Sequence, residues 1–180
     1  MPLVIIVIAV AAAIAFLARS VISSYAKPGI VSSDPRIEIS GAKASFAINK
    51  NLEYPILDAE GEEVTKLKFT IENAELRDEI IVKSRRMTSI KGKTFLIVSL
   101  KISNDYTAPM EVKVADYIRL TVNGRESEFL APEIHSDPVA VQAISTKATR
   151  IGFAVNDTDD NISLWVGEIK GNKEKIDISF

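Results

Sequence analysis

From Pro2 to Ala18 the chain reads PLVIIVIAVAAAIAFLA, without one charged or polar side chain. A run of this kind dictates its own solvent. Its backbone groups must pair internally within lipid, or the whole run must be buried in protein. Leu3–Ala18 holds ten Leu, Val, Ile or Phe residues, each contributing roughly −0.3 to −0.6 kcal/mol to insertion. Their sum, about −3 to −6 kcal/mol, outweighs Arg19 at the edge, whose long side chain snorkels to the headgroups. Helical continuation to Tyr25 gives about 24 residues and roughly 36 Å, enough to span a bilayer with some tilt. Pro2 is tolerated at a first helical position, and Pro28-Gly29 stops the helix. Residues 1–26 are therefore expected to form a single transmembrane anchor that meets the lipid bilayer through residues 3–25.

A cleaved signal peptide is the alternative, with Ser24 and Ala26 as the small residues before a cut at Lys27. No basic residue precedes the run, and Arg19 lies between it and that cut, which favours the helix. A buried element of a soluble core fits sixteen unbroken apolar residues least well. Arg19, Lys27 and Arg36 all follow the run, which by the positive-inside rule favours a cytoplasmic C-terminal part. A β-rich domain on a short N-terminal anchor more often faces outward in prokaryotes. The expectation is a single-pass protein of the cell membrane with an extracytoplasmic C-terminal domain.

The rest of the chain is built for water. Only Arg19 and Lys27 are charged in the first 27 residues, leaving 20 basic and 24 acidic residues for the remainder. The formal net charge of −2 lacks the Lys and Arg surplus that phosphate neutralisation requires, so no nucleic-acid partner is expected. The absence of cysteine excludes disulfides, thiol nucleophiles, cysteine metal sites and a lipidated N-terminal cysteine, and a single histidine argues against His-based metal or triad chemistry. Residues 27–36, KPGIVSSDPR, have the composition of a linker.

From residue 37 to 180 the pattern is that of strands. Expected strands are 37–39, 44–48, 66–71, 80–83, 95–102, 110–114, 118–122, 126–130, 148–155, 162–166 and 175–178. Leu67-Lys68-Phe69-Thr70-Ile71 and Ile118-Arg119-Leu120-Thr121-Val122 alternate apolar with polar. Asn123-Gly124 is the strongest hairpin signal, since both residues accept positive φ. No internal repeat and no persuasive helical stripe follows residue 30. The fold expected is all-β, an immunoglobulin-like β-sandwich behind the anchor. Alternation places Phe69, Ile71, Phe95, Ile97, Ile118, Leu120, Ile151, Phe153, Leu164 and Trp165 in the core. Adjacent Leu164 and Trp165 cannot both point inward, so one is expected on the rim or at a bulge.

Four stretches carry a family resemblance: LKFTIENAELRDEI at 67–80, KGKTFLIVSLKISNDYTAPMEV at 91–112, YIRLTVNGRESEF at 117–129 and STKATRIGFAV at 145–155. With VGEIKGNKEKIDI at 166–178, they resemble the telokin-like, immunoglobulin-like domain of unknown function of prokaryotic envelope proteins. The likeness runs from about Val64 to the end. Members usually follow a signal peptide or a lipidated cysteine, so the resemblance implies an outward-facing domain, here with the helix as anchor. No catalytic residues are defined for that family, so it implies a place and a fold but no reaction.

Several clusters invite a chemical reading. Asp157, Asp159 and Asn161 follow the D-x-D-x-N spacing of calcium ligands, and Glu168 falls at the twelfth position of such a loop. Ile162 stands where that loop needs glycine, and ISLWV reads as a strand, so a solvated turn competes with a calcium site. No other cofactor is expected. Asn156-Asp157-Thr158 and Asn161-Ile162-Ser163 are glycosylation acceptors at Asn156 and Asn161, of consequence only outside a glycosylating cell. Glu133, His135 and Asp137 alternate between Pro132 and Pro138 as three ligand types or as a surface loop. Lys83, Arg85, Arg86, Lys91 and Lys93 form a basic patch for anionic headgroups or an acidic envelope polymer, unless Glu72, Glu75, Asp78 and Glu79 balance it. No P-loop, GxSxG, HExxH or GxGxxG pattern occurs. The chain is thus expected to be non-enzymatic, a binding or assembly module whose partner is an envelope protein or polymer. A pilin-like subunit that polymerises is the alternative.

Overall fold

The computed structural model describes residues 37–180, and the expected anchor and linker lie outside that range. Among the described residues no helix is long and apolar enough to cross a membrane. The domain is all-β. Its strands are β1 (Ala44–Leu57), β2 (Glu63–Arg77), β3 (Glu79–Val82), β4 (Arg85–Thr88), β5 (Lys93–Asn104), β6 (Met110–Val112), β7 (Ile118–Thr121), β8 (Val139–Val141), β9 (Ser145–Asn156), β10 (Ile162–Val166) and β11 (Glu174–Ile178). One 3-10 turn, Val114–Asp116, precedes β7.

An antiparallel sheet ordered β1-β2-β5-β9 packs on a second ordered β11-β10-β7, with the pairs β3-β4 and β6-β8 as small additions. The two large sheets share one core and form a β-sandwich. Leu67, Phe69 and Ile71 of β2, Leu96, Val98, Leu100 and Ile102 of β5, and Ile151, Phe153 and Val155 of β9 meet Ile118, Leu120, Ile162, Leu164, Val166 and Ile178 from the facing sheet. Period-two alternation puts these residues on one face of each strand. Phe69 stands among them, with ring centroids 5.9 Å from Tyr54 and 5.2 Å from Tyr117.

Two departures from the sequence reading have clear causes. A bulge at Glu72 shifts the β2–β5 register between Ile71 and Asn73. Inward positions therefore change from Leu67, Phe69 and Ile71 to Ala74 and Leu76, since one extra residue reverses the pleat. Phe95 and Ile97 are buried, but on the opposite face of β5, where Ile80, Val82 and Ile134 cover them as a second small cluster. β5 is thus covered on both faces, which alternation alone does not register.

Strand boundaries shift for local reasons. Residues 37–39 are irregular rather than a strand. β1 continues past Asn49, which takes a φ of 52° at a register shift between Ala47 and Lys50, and carries Pro55. The turn between β3 and β4 uses Lys83 and Ser84 at φ of 48° and 61°, without the glycine or asparagine that marks such a turn in sequence. Asn123 and Gly124 take the expected positive φ of 57° and 64°. The second strand of that hairpin, expected at 126–130, is absent. Bonds from Arg125 N to Val122 O, Glu126 N to Gly124 O and Glu128 N to Arg125 O close successive turns. Those bonds use donors a ladder would need, and only Leu130 returns to pair with Leu120.

Tyr54 supplies a test of packing. Its hydroxyl is buried without a hydrogen-bond partner among the described residues, and burial, followed by the charges of Glu174 and Glu168, pushes its phenol from 10.0 to about 12. The folded state therefore favours the neutral ring. Its contribution to stability is intact below pH ~10 and is lost as pH rises through the folded value. Tyr54→Phe keeps the ring and deletes the orphaned hydroxyl. The variant is expected to melt no lower than the parent at neutral pH and to lose less stability between pH ~10 and ~12. An equal alkaline loss in parent and variant would refute the assignment to Tyr54.

Candidate functional site: an aromatic corner on the outer sheet face

β10 alternates Ile162, Leu164 and Val166 inward with Ser163 and Trp165 on the other side. Leu164 is fully buried and Trp165 only half-buried, so Trp165 takes the rim position. Antiparallel register sets Trp165 opposite Arg119 of β7 and opposite Lys175 of β11. A cation thus flanks the indole on each side. The indole Nε1–H donates to Thr121 Oγ1 at 3.0 Å, which fixes the ring. Lys175 Nζ lies 5.9 Å from the ring centroid, within cation–π range. Its charge is shared by Glu126 at 2.7 Å and Asp177 at 3.1 Å, and these hydrogen bonds, Glu126 first, raise its pKa.

Phe129 completes the surface. The turns at 125–128 carry it out of the β7 plane to stand against Trp165, with centroids 5.5 Å apart and planes at 83°. The two rings form a corner, and Phe129 is 47% exposed. The loop after β10 makes the opposite wall. Gly167 N donates to Tyr117 O at 2.9 Å, Gly171 N to Glu168 O at 3.2 Å, and Lys173 Nζ to the carbonyls of Glu168 and Ile169. A Cβ on Gly167 would lie 2.4 Å from Asn172 O, so this tight loop requires glycine there. Between corner and loop opens a cavity of about 520 Å³, lined by Arg119, Phe129, Trp165, Ile169, Gly171, Asn172 and Lys173. Arg119 donates through Nη1 to the carbonyls of Ala115 and Ile118. Among the described residues neither Arg119 nor Lys173 has a carboxylate partner. The arrangement offers apolar ring surface beside two cations with donors to spare.

The calcium-type ligands are divided by the fold. Asp157, Asp159 and Asn161 lie on the exposed turn between β9 and β10, whereas Glu168 lies beyond the far end of β10, a strand spanning about 16 Å. Asp159 accepts from Asn156 N at 2.8 Å and from Asn123 Nδ2 at 2.9 Å. Burial raises its pKa, but these bonds together outweigh burial and hold it below the usual value. Asp157 lies 3.6 Å from Lys43. The Asn156 amide also binds Asp159, and that of Asn161 binds Asp160. Both glycosylation acceptors are exposed, Asn156 as the last residue of β9 and Asn161 on this turn.

Glu133, His135 and Asp137 share the lining of a smaller cavity of about 210 Å³ with Lys83 and Met87. Asp137 pairs with Lys83 at 3.1 Å. Among the described residues His135 Nε2 is buried without a partner, and burial, then Arg150, lowers its pKa against the opposing pull of Asp137. Among the described residues no three His, Cys, Asp or Glu side chains are grouped to hold a metal ion. In the basic patch, Arg86 pairs with Glu79 at 3.4 Å and Lys83 with Asp137. The other nearby acids turn elsewhere: Glu75 to Arg77, Asp78 to Lys43 and Glu72 to Lys101.

The aromatic corner has no signature along the chain, because strand register brings Arg119 to Trp165 while turn and loop geometry bring Phe129 and Lys173. The one local sign was the adjacency of Leu164 and Trp165, which places one large ring outside the core.

No protein-family profile matches the chain, and none of the curated proteins is similar to it in sequence. Its fold is similar to that of a conserved hypothetical protein from Bacillus anthracis, with a TM-score of 0.51 and 16% identity over 74% of this chain and 96% of that one. An uncharacterized beta-sandwich protein from Clostridium difficile gives 0.48 and 17% over 70% and 90%. A functionally unknown protein from Listeria monocytogenes gives 0.45 and 12% over 78% and 86%. At such identities the likeness to the Bacillus anthracis protein is one of fold alone.

Proposed function

We propose that the chain is a membrane-anchored binding module of the prokaryotic cell envelope, held in the bilayer by residues 3–25. Its domain, in this reading immunoglobulin-like and of the telokin-like kind, faces outward and acts by recognition rather than by catalysis. The observation that carries the binding role is the aromatic corner, an exposed Phe129 against a half-buried Trp165, beside two cations that no carboxylate of the described residues neutralises. Aromatic surface reaching water beside unspent donors is the composition of a recognition site. The polymerising-subunit alternative has less support. β1 and β9 are the two edges of their sheet; the bulge at Asn49 and Pro55 oppose the addition of another strand to β1, and Ile134 bridges to Gly152 on β9.

The test is protease accessibility of a C-terminal tag on intact cells, beside lysed cells and a cytoplasmic control. Digestion in intact cells is the expected result. Protection until lysis would sink the envelope reading and leave a cytoplasmic, membrane-tethered scaffold.

A further inference from the structure

We propose that the Phe129–Trp165 corner binds one acidic sugar residue of an anionic envelope glycan, with Arg119 and Lys173 taking its carboxylate or phosphate. This deepens the binding role above and rests on it. The chemistry follows from shape and charge. Two rings at 83° make a concave apolar wall that suits a puckered, saturated ring, whose axial C–H bonds can meet both ring surfaces at once. A planar base would instead stack against a single ring or between parallel ones, and this corner has no parallel pair.

The polar side is complementary to an anion. The guanidinium of Arg119 is anchored through Nη1 on the carbonyls of Ala115 and Ile118, which leaves other N–H groups for a planar or tetrahedral acid. Lys173 is held at the rim by the carbonyls of Glu168 and Ile169, and Asn172 lies beside it. Lys175 steadies the indole, but its charge is already shared between Glu126 and Asp177. Those carboxylates also argue against a flat anionic bilayer as the occupant, because a lipid surface would bring its charge against them as well as against the cations. One acid group directed between Arg119 and Lys173 avoids that repulsion. An open cavity of about 520 Å³ admits a single sugar residue while its chain continues on both sides.

The chain carries one tryptophan, so the emission of Trp165, excited where tyrosine does not absorb, reports on this corner alone. The full chain in a non-ionic polyoxyethylene detergent would be titrated with trigalacturonate, glucose 6-phosphate, neutral maltotriose, poly-glutamate and phosphatidylglycerol vesicles. A saturable change is expected with trigalacturonate, glucose 6-phosphate or both, which separates carboxylate from phosphate. Arg119→Gln and Lys173→Gln, with unchanged thermal melts, should each weaken that response about tenfold. No response to either acidic sugar, or a response that both variants leave intact, would overturn the proposal. So would maltotriose, poly-glutamate or vesicles acting as strongly as the acidic sugars, the last two pointing to an acidic peptide or to lipid. Because this readout is independent of cell address, binding by a chain whose tag stays protected would sink the envelope placement and leave the sugar site standing.

Discussion

Asn104→Asp is expected to destabilise the domain by about 3–5 kcal/mol at neutral pH, although it exchanges only an amide for a carboxyl. Asn104 closes β5 and has no exposed surface. Its Nδ2 faces the carbonyls of Ala108 at 2.9 Å, Gln142 at 3.0 Å and Val141 at 3.4 Å, while its Oδ1 accepts from Tyr106 N at 2.9 Å. One side chain therefore joins the loop after β5 to the end of β8. A carboxylate there presents an acceptor to three carbonyl oxygens, and its charge is buried without a cation. The new acid should titrate above its unfolded value of ~3.9, because only the protonated form can donate. A raised carboxyl pKa favours the fold at low pH, and that advantage is lost as pH rises through the folded value. Urea unfolding of parent and variant, at pH ~3.5 and at neutrality, reads the difference. The deficit should be larger at neutrality, and an equal deficit at both would mean that the buried charge is not its cause. Asn104→Ala, which leaves the same carbonyls unpaired but adds no charge, should lose less at neutral pH and show no such pH dependence.

The same residue illustrates which parts of this fold can be read along the chain. β10 at Ile162–Val166 was legible to the residue, since a short apolar, β-favouring run there follows a polar turn. The positive φ of Asn123 and Gly124 was legible too, because those residue types tolerate it locally. What escaped depends on pairing. A bulge at Glu72 reverses which residues of β2 face inward, and nothing in IENAE announces the extra residue. Phe95 and Ile97 were rightly expected to be buried, yet they lie under Ile80 and Ile134 rather than in the main core. The role of Asn104 belongs to this second kind. It ends an apolar run and reads as a strand terminus, and only the approach of residues 141–142 makes it a junction. The aromatic corner is the extreme case, since Arg119 and Lys175 become neighbours of Trp165 through strand register alone.

Phe69→Ala carries the other large expected effect, a loss of about 3–5 kcal/mol against a total stability of about 5–15 kcal/mol for a domain of this kind. Phe69 is 1% exposed and sits on β2, where its ring contacts Tyr54 of β1 and Tyr117 at the entry to β7. Truncation removes transfer energy, opens a cavity and forfeits two aromatic contacts together. Phe69→Leu fills most of that volume and should lose less than about 1.5 kcal/mol, which separates cavity from composition. Chemical unfolding measures both losses, and similar values for the two variants would argue against the cavity. A second readout lies in Tyr54, whose phenol is held at about 12 chiefly by burial. Water entering the space left by Phe69 would rehydrate that hydroxyl, so its titration should move down towards 10.0. Absorbance titration against a Tyr54→Phe background isolates this one phenol among the 4 tyrosines. If the phenol stays where it is while stability falls, the cavity has remained dry or collapsed, and the desolvation of Tyr54 is due to the facing sheet rather than to Phe69. A downward shift in step with the lost stability would mean that Phe69 is what keeps water from this end of the core.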